Sequence, residues 1–149
     1  YFTAVALKKH KNLNIVTNSL MTAIELGANP SFKVILLGGE INFQYSFTYG
    51  NDALEQLKHY KANYAILSID GVCLDGGVST IYAEEAMVDR LMIERANETI
   101  IVADSQKLDK EGFMYVCDIK NVSKLVTEKN ADPGFVKQMR DAGIKVIFG

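Results

Sequence analysis

Several classes of protein are excluded by what this chain lacks. Its 149 residues include no Trp, only 2 Cys, 2 Pro and 2 His. Cys73 and Cys117 are too few for a disulfide scaffold, so a reducing cytoplasm is the expected setting. His10 sits in the basic run Lys8-Lys9-His10-Lys11, and His59 follows Lys58. Neither has a Cys or His partner at ligand spacing, which argues against a metal site. No apolar run approaches the ~18–20 residues of a membrane span, and the start does not read as a signal peptide. Basic residues are not in excess: 16 Lys and Arg face 18 Asp and Glu, a net charge of -2. A grip on nucleic-acid backbone is therefore not expected of this stretch. There is no Gly-x-Ser-x-Gly elbow, no phosphate-binding Gly-x-x-x-x-Gly-Lys loop and no Gly-x-Gly-x-x-Gly fingerprint. The first residue is Tyr1 rather than Met, so a piece of a longer protein is expected.

What remains is the composition of one globular domain, 48% hydrophobic and 23% charged. Short runs rich in Val, Ile and Leu recur at 14–17, 33–37, 64–69, 99–104, 124–127 and 145–148. They are continuous rather than alternating, as in strands buried on both faces. Between them lie helical stripes: Leu20, Ala23, Ile24 and Gly27; Ala53, Leu54, Leu57 and Tyr60; Val88, Leu91, Met92 and Ala96. A last helix is bracketed by Asp132 as N-cap, Pro133 at its first position and Gly143 beyond its end. Alternation of this kind predicts an α/β fold, a single domain whose mainly parallel sheet carries helices on both faces. Phe2, Val5 and Ala6 begin a short helix that precedes the first strand. It reads as half of a βαβ unit, with its own strand and turn expected upstream. The stretch 105–121 reads as irregular, with a short strand near 114–118.

In an open parallel sheet, ligands bind where strands exit at their carboxyl ends. The first exit is Thr17-Asn18-Ser19 at a helix start. These residues can cap the helix or hold an anion there. The second is Leu37-Gly38-Gly39-Glu40; its glycines make an ordinary turn or let a backbone approach a ligand. The third, Ser68-Ile69-Asp70-Gly71, is a turn signal that also aims a carboxylate at the crevice. Glu85 is in register with Val88 and Met92 and heads the inward face of its helix, as a dipole partner or as a hydroxyl acceptor. The fourth exit, Ala103-Asp104-Ser105-Gln106-Lys107, supplies a hydroxyl acceptor and a cation for a charged ligand, or simply a solvated turn.

Taken in order, Val16-Thr17-Asn18-Ser19-Leu20, Leu36-Leu37-Gly38-Gly39-Glu40, Asp70-Gly71-Val72, Glu85-Ala86 and Ala103-Asp104-Ser105-Gln106-Lys107 resemble the C-terminal effector-sensing domain of DeoR-family bacterial transcriptional repressors. The resemblance covers nearly the whole chain. It implies a Rossmann-like fold similar to type A ribose-5-phosphate isomerase and the CoA transferases. It also implies a cytoplasmic repressor of carbohydrate metabolism, with no cofactor and no membrane partner, that binds a phosphorylated sugar or related metabolite and forms a homo-oligomer. A separate N-terminal helix-turn-helix domain would contact operator DNA. The whole of 1–149 would be the effector domain, lacking its first strand and phosphate loop.

By the same resemblance Thr17, Asn18 and Ser19 serve the anion or sugar site. Gly38, Gly39 and Gly71 shape it, while Asp70 and Glu85 accept sugar hydroxyls. Lys107 pairs with the ligand's charge and Asp104 sets up its loop. The chain departs from the family at Asp89, where a Lys is common, at Gln106 in place of a small residue, and at Ser68 in place of Gly. The first change removes a positive charge near the pocket. An aldose–ketose phosphate isomerase on the same fold is the alternative, with Glu85 as base and Asp70 beside it. Against it, Asp75 precedes Gly76-Gly77 where such isomerases carry a Lys, and an anion opposes a developing enediolate.

Overall fold

Side-chain caps at Ser19 and Asp132 start two of the five α-helices. The computed structural model describes residues 1–149, which divide into two compact units, Tyr1–Tyr60 and Lys61–Gly149.

The first unit runs α1 (Phe2–Leu7), β1 (Asn14–Thr17), α2 (Leu20–Gly27), β2 (Lys33–Leu36), β3 (Glu40–Asn42), β4 (Phe47–Tyr49) and α3 (Asn51–Lys58). Parallel pairing of β1 with β2 sets Asn14 opposite Lys33 and Thr17 opposite Leu36. Helix α2 begins at Ser19, whose side chain accepts the Thr22 N–H at 3.2 Å. Leu26 on this helix is fully buried. The antiparallel β3–β4 hairpin was not anticipated. Its strands are 3 residues each, too short for an alternating pattern to register.

The second unit runs β5 (Ala62–Ser68), β6 (Gly71–Cys73), β7 (Gly77–Thr80), α4 (Ala83–Glu94), β8 (Ala96–Val102), β9 (Met114–Cys117), β10 (Lys124–Thr127), α5 (Pro133–Asp141) and β11 (Lys145–Phe148). Four strands form one parallel sheet in the order β11-β10-β8-β5. Each crossover moves the chain over by one strand. This is the expected α/β, Rossmann-like architecture. A second, antiparallel sheet, β6-β7-β9, draws only its last strand from the segment read as irregular. Its β9 matches the short strand expected near 114–118. Gly77 opens β7 at φ +70, and a Cβ there would lie 2.2 Å from the Cys117 carbonyl oxygen, so no other residue fits.

Helices α4 and α5 share one core with the sheet. Ala86, Phe135, Val136 and Met139 pack with Leu67, Ile101, Leu125 and Val146. Met139 and Leu125 are at most 1% exposed, and burial of each contributes about 1.5–3 kcal/mol. Burial along the strands differs from the continuous pattern expected. In β5, Ala65 and Leu67 are buried while Tyr64 and Ile66 are 51% and 39% exposed. One face of this unit's sheet takes both helices, so its apolar side chains alternate in burial although they do not alternate in sequence.

Helix α5 starts as the sequence indicates, with the Asp132 carboxylate accepting the Phe135 N–H at 2.8 Å. Replacing Asp132 by Ala is expected to cost about 1 kcal/mol. Gly77→Ala is expected to cost more, roughly 2 kcal/mol or above, because strain and a backbone clash add. Urea titrations of the two variants check both the sizes and their order.

Candidate functional site

In the second unit, parallel pairing brings two strand exits to one sheet edge. Ser68 at the end of β5 lies opposite Val102 at the end of β8. Asp70 follows the first exit and Lys107 the second, and their side chains meet at 2.9 Å between Oδ1 and Nζ. Lys107 closes a short 3-10 turn, Ser105–Lys107, capped by Asp104, whose carboxylate accepts the Gln106 N–H at 2.9 Å. Glu128 holds the same turn by accepting from the Ser105 N–H at 3.0 Å and its hydroxyl at 2.6 Å.

The other Asp70 oxygen accepts the Ile81 N–H at 3.1 Å and lies 3.0 Å from the Thr80 hydroxyl. That hydroxyl is also 2.7 Å from Glu85 Oε2, in the first turn of α4. Thr80 is fully buried and has one proton to donate. That one proton serves only one of the two carboxyls at a time. Asp70, Glu85 and Lys107 are thus brought together through Thr80 and one ion pair, with Asp104 acting on the Lys107 turn. Thr80 was missed, although its place at the end of the Asp75–Thr80 loop, just before the Glu84-Glu85 pair, was a usable signal. Gly71 is buried beside this cluster, and a Cβ on it would lie 2.5 Å from the Lys110 carbonyl oxygen. Its visible role is close backbone packing.

The remaining expected residues form a set within the first unit. Thr17 Oγ1 accepts the Ser19 N–H at 3.1 Å, Ser19 caps α2, and the Asn18 amide donates to the Thr48 carbonyl at 3.2 Å. Thr48, also missed, donates its hydroxyl to the Leu37 carbonyl at 2.6 Å. The Gly38 N–H donates to the Gln56 side chain at 3.0 Å. Gly39 has φ +122, and a Cβ there would lie 2.3 Å from the Tyr49 carbonyl oxygen. Capping and turn packing account for every contact these residues make within the unit.

A shallow depression of about 300 Å³ beside α5, lined by Lys129, Pro133, Arg140 and Phe148 among others, holds none of the expected site residues. No group of three or more His, Cys, Asp or Glu is placed to hold a metal ion. No helix is long and apolar enough to cross a membrane.

Residues 1–129 match the DeoR C terminal sensor domain. The chain belongs to that family. Over 135 residues it is 34% identical to the uncharacterized HTH-type transcriptional regulator YulB of Bacillus subtilis, covering 90% of this chain and 52% of that protein. The HTH-type transcriptional repressor GlcR of Bacillus subtilis is 27% identical over 148 residues, 97% of this chain and 57% of the repressor. The glycerol-3-phosphate regulon repressor of Escherichia coli is also 27% identical, over 143 residues, 96% of this chain and 57% of the relative. The sensor domain therefore spans about half the length of the curated relatives it matches. These relatives carry the names of regulators and repressors, and the domain is a regulatory one. The isomerase alternative does not hold.

The electrostatics of the sensor domain's cluster separate its carboxyls. Burial works against the charge on Asp70, but hydrogen bonds from Lys107 and Thr80, the Lys107 charge and the Ile81 N–H outweigh it. Its pKa falls below the ordinary value. Lys107 is raised, chiefly by its hydrogen bond to Asp70. Glu85 is raised by burial, reinforced by the negative charge of Asp70. Asp89, one helical turn beyond Glu85, is 6% exposed. Burial, followed by the charges of Glu85 and Asp70, pushes it up to about 8.

A carboxyl raised in the folded state stabilises the fold most below its unfolded pKa, about 4 for Asp, and that contribution is lost as pH rises through the folded value. Between pH ~4 and about 8, Asp89 therefore makes stability fall with rising pH. Asp89→Asn keeps the shape and removes the titration. Relative to the unmodified protein, it is expected to gain on the order of 3 kcal/mol in stability between about pH 5 and about pH 9. Urea unfolding at the two pH values measures the difference.

Proposed function

We propose that this sensor domain binds a phosphorylated sugar or closely related polyhydroxylated metabolite. In the full-length protein, binding would shift the operator affinity of a separate helix-turn-helix domain. The observation that carries the reading is the Asp70–Lys107–Thr80–Glu85 cluster at the carboxyl edge of a parallel sheet, where such folds hold ligands. Carboxylates there accept hydroxyl protons in charge-assisted hydrogen bonds, and Lys107 offers a cation to an anionic group. Within the first unit, the hydroxyls of Thr17 and Ser19 accept the cap and turn hydrogen bonds and keep a proton each to offer an oxyanion. The name of the glycerol-3-phosphate regulon repressor among its relatives points the same way. The protein acts in the cytoplasm, as a homo-oligomer matched to two-fold operators.

No step here breaks or forms a covalent bond. The ligand acts by binding one conformation of the repressor better than the other. A coupling of about 1–3 kcal/mol, roughly 5–150-fold in operator affinity, is expected. Calorimetry of the full-length protein against a panel of sugar phosphates should give saturable binding by at least one. Glu85→Gln and Lys107→Met should each weaken that binding by about tenfold or more, as loss of a charge-assisted hydrogen bond implies. Absence of binding across the panel overturns the proposal.

A further inference from the structure

The β3–β4 hairpin has one covered edge and one open edge. On the β4 side, the Thr48 N–H donates to the Asn18 carbonyl at 2.8 Å, and the Thr48 carbonyl accepts from the Asn18 side-chain amide at 3.2 Å. Both backbone groups of Thr48 therefore point away from β3. Ile41 is the residue opposite Thr48. In an antiparallel pair, opposed residues turn their N–H and C=O groups either toward each other or both outward. The N–H and C=O of Ile41 consequently face outward along the far edge of β3, where no further strand pairs with the two-stranded sheet.

The side chains along this hairpin do not protect the edge. Ile41 is 39% exposed, Phe43 83% and Tyr45 50%, and Glu40 is the only charged residue from 40 to 49. Open edges are ordinarily blunted by charge, proline or a bulge, because they template pairing with another chain. A second copy of the same edge is its complement when the two pair antiparallel about Ile41. The two Ile41 residues then exchange both N–H···O bonds, which uses the outward groups of each copy. Glu40 stands opposite Asn42 of the second copy, and the two Glu40 carboxylates are kept apart. The Asn42 Oδ1 already accepts the Tyr45 N–H at 3.2 Å, so its amide N–H groups remain to meet that carboxylate. Phe43, one position beyond β3, falls opposite Gly39 of the second copy, which has no side chain to obstruct the ring. A two-fold centred on Glu40 instead would set like charges directly opposite, which is unfavourable.

We infer that the open edge of β3 is a two-fold contact between copies of this chain, a four-stranded antiparallel sheet in the order β4-β3-β3-β4 centred on Ile41. The contact is isologous, so it closes on itself and leaves no edge free for a third copy. It rests on the homo-oligomer stated under Proposed function and adds the surface that joins the copies.

Two measurements on the full-length protein test it. Under mild oxidation, Ile41→Cys should form a disulfide-linked dimer several-fold faster than Ile24→Cys, although Ile24 on α2 is the more exposed position, at 71%. Cys73 and Cys117 are buried and do not compete. The double variant Ile41→Lys with Phe43→Lys sets like charges against each other across the two-fold. It should halve the mass of the assembly in light scattering while leaving the circular-dichroism spectrum unchanged, since both side chains face solvent in the single chain. Cross-linking no faster than at Ile24, or an unchanged mass in the double variant, overturns the inference and leaves the homo-oligomer standing. A monomeric unmodified protein overturns both.

Discussion

Parallel pairing of β5 with β8 is the constraint on which the candidate site depends. Two strands running the same way end at the same edge, so the residues just past Ser68 and Val102 must meet. The Asp70–Lys107 pair is what meets there, at 2.9 Å. Around it, Thr80 and the Ile81 N–H bind the second oxygen of Asp70. Thr80 in turn reaches Glu85 at the head of α4. A loop between strands, a turn after a strand and the start of a helix are thereby tied through one carboxylate. The pair is partly exposed, with side chains 35% and 25% accessible, so its contribution to global stability is small. Its importance lies in fixing which carboxyl of the cluster is charged.

That division of charge follows from solvent access. Asp70 has a cation and two hydrogen-bond donors, and it stays ionised despite partial burial. Glu85 shares Thr80 but has less water around it, and its proton is held more tightly. Asp89, deeper on the same helix face, has an oxygen with no donor and is the most strongly shifted of the three. A set of carboxyls that runs from the loop at Asp70 to Glu85 and Asp89 on one helix face, and differs in how tightly each holds its proton, suits recognition of a polar ligand by hydrogen bonds. It suits a sensor, where binding alone must do the work, as naturally as it would an enzyme. Membership of the DeoR sensor family decides between those two.

The parts of the fold that read clearly were those with local causes. Asp132 and Pro133 announce the start of α5, and the bounds of β1, β10 and β11 coincide with their apolar runs. Strand β9 matches the expected strand near 114–118, but the β3–β4 hairpin and the β6–β7 pair did not read, because their strands of 3 or 4 residues contain no continuous apolar run. Their glycines signal turns whether or not a ladder forms. Tyr64 and Ile66 belong to a run as apolar as any in the chain, yet they are half-exposed. Hydrophobicity alone does not say how many faces of a strand are covered by its own unit's helices. Among the site residues, the strand-exit rule led to Asp70, Asp104 and Lys107, and helix register led to Glu85. It could not show that Thr17, Ser19 and Gly39 also have complete local explanations in caps and turns.

The sequence by itself determined the α/β class, the order of the parallel strands' elements and the family, because strand and helix periods and strand-exit residues are local and sequential. Only the tertiary structure decided that Thr80 bridges Asp70 and Glu85, and that Asp89 is buried with an oxygen left unpartnered. Those facts depend on distances between residues on different elements and on how much water reaches each carboxyl. Neither quantity is written in the spacing of residues along the chain.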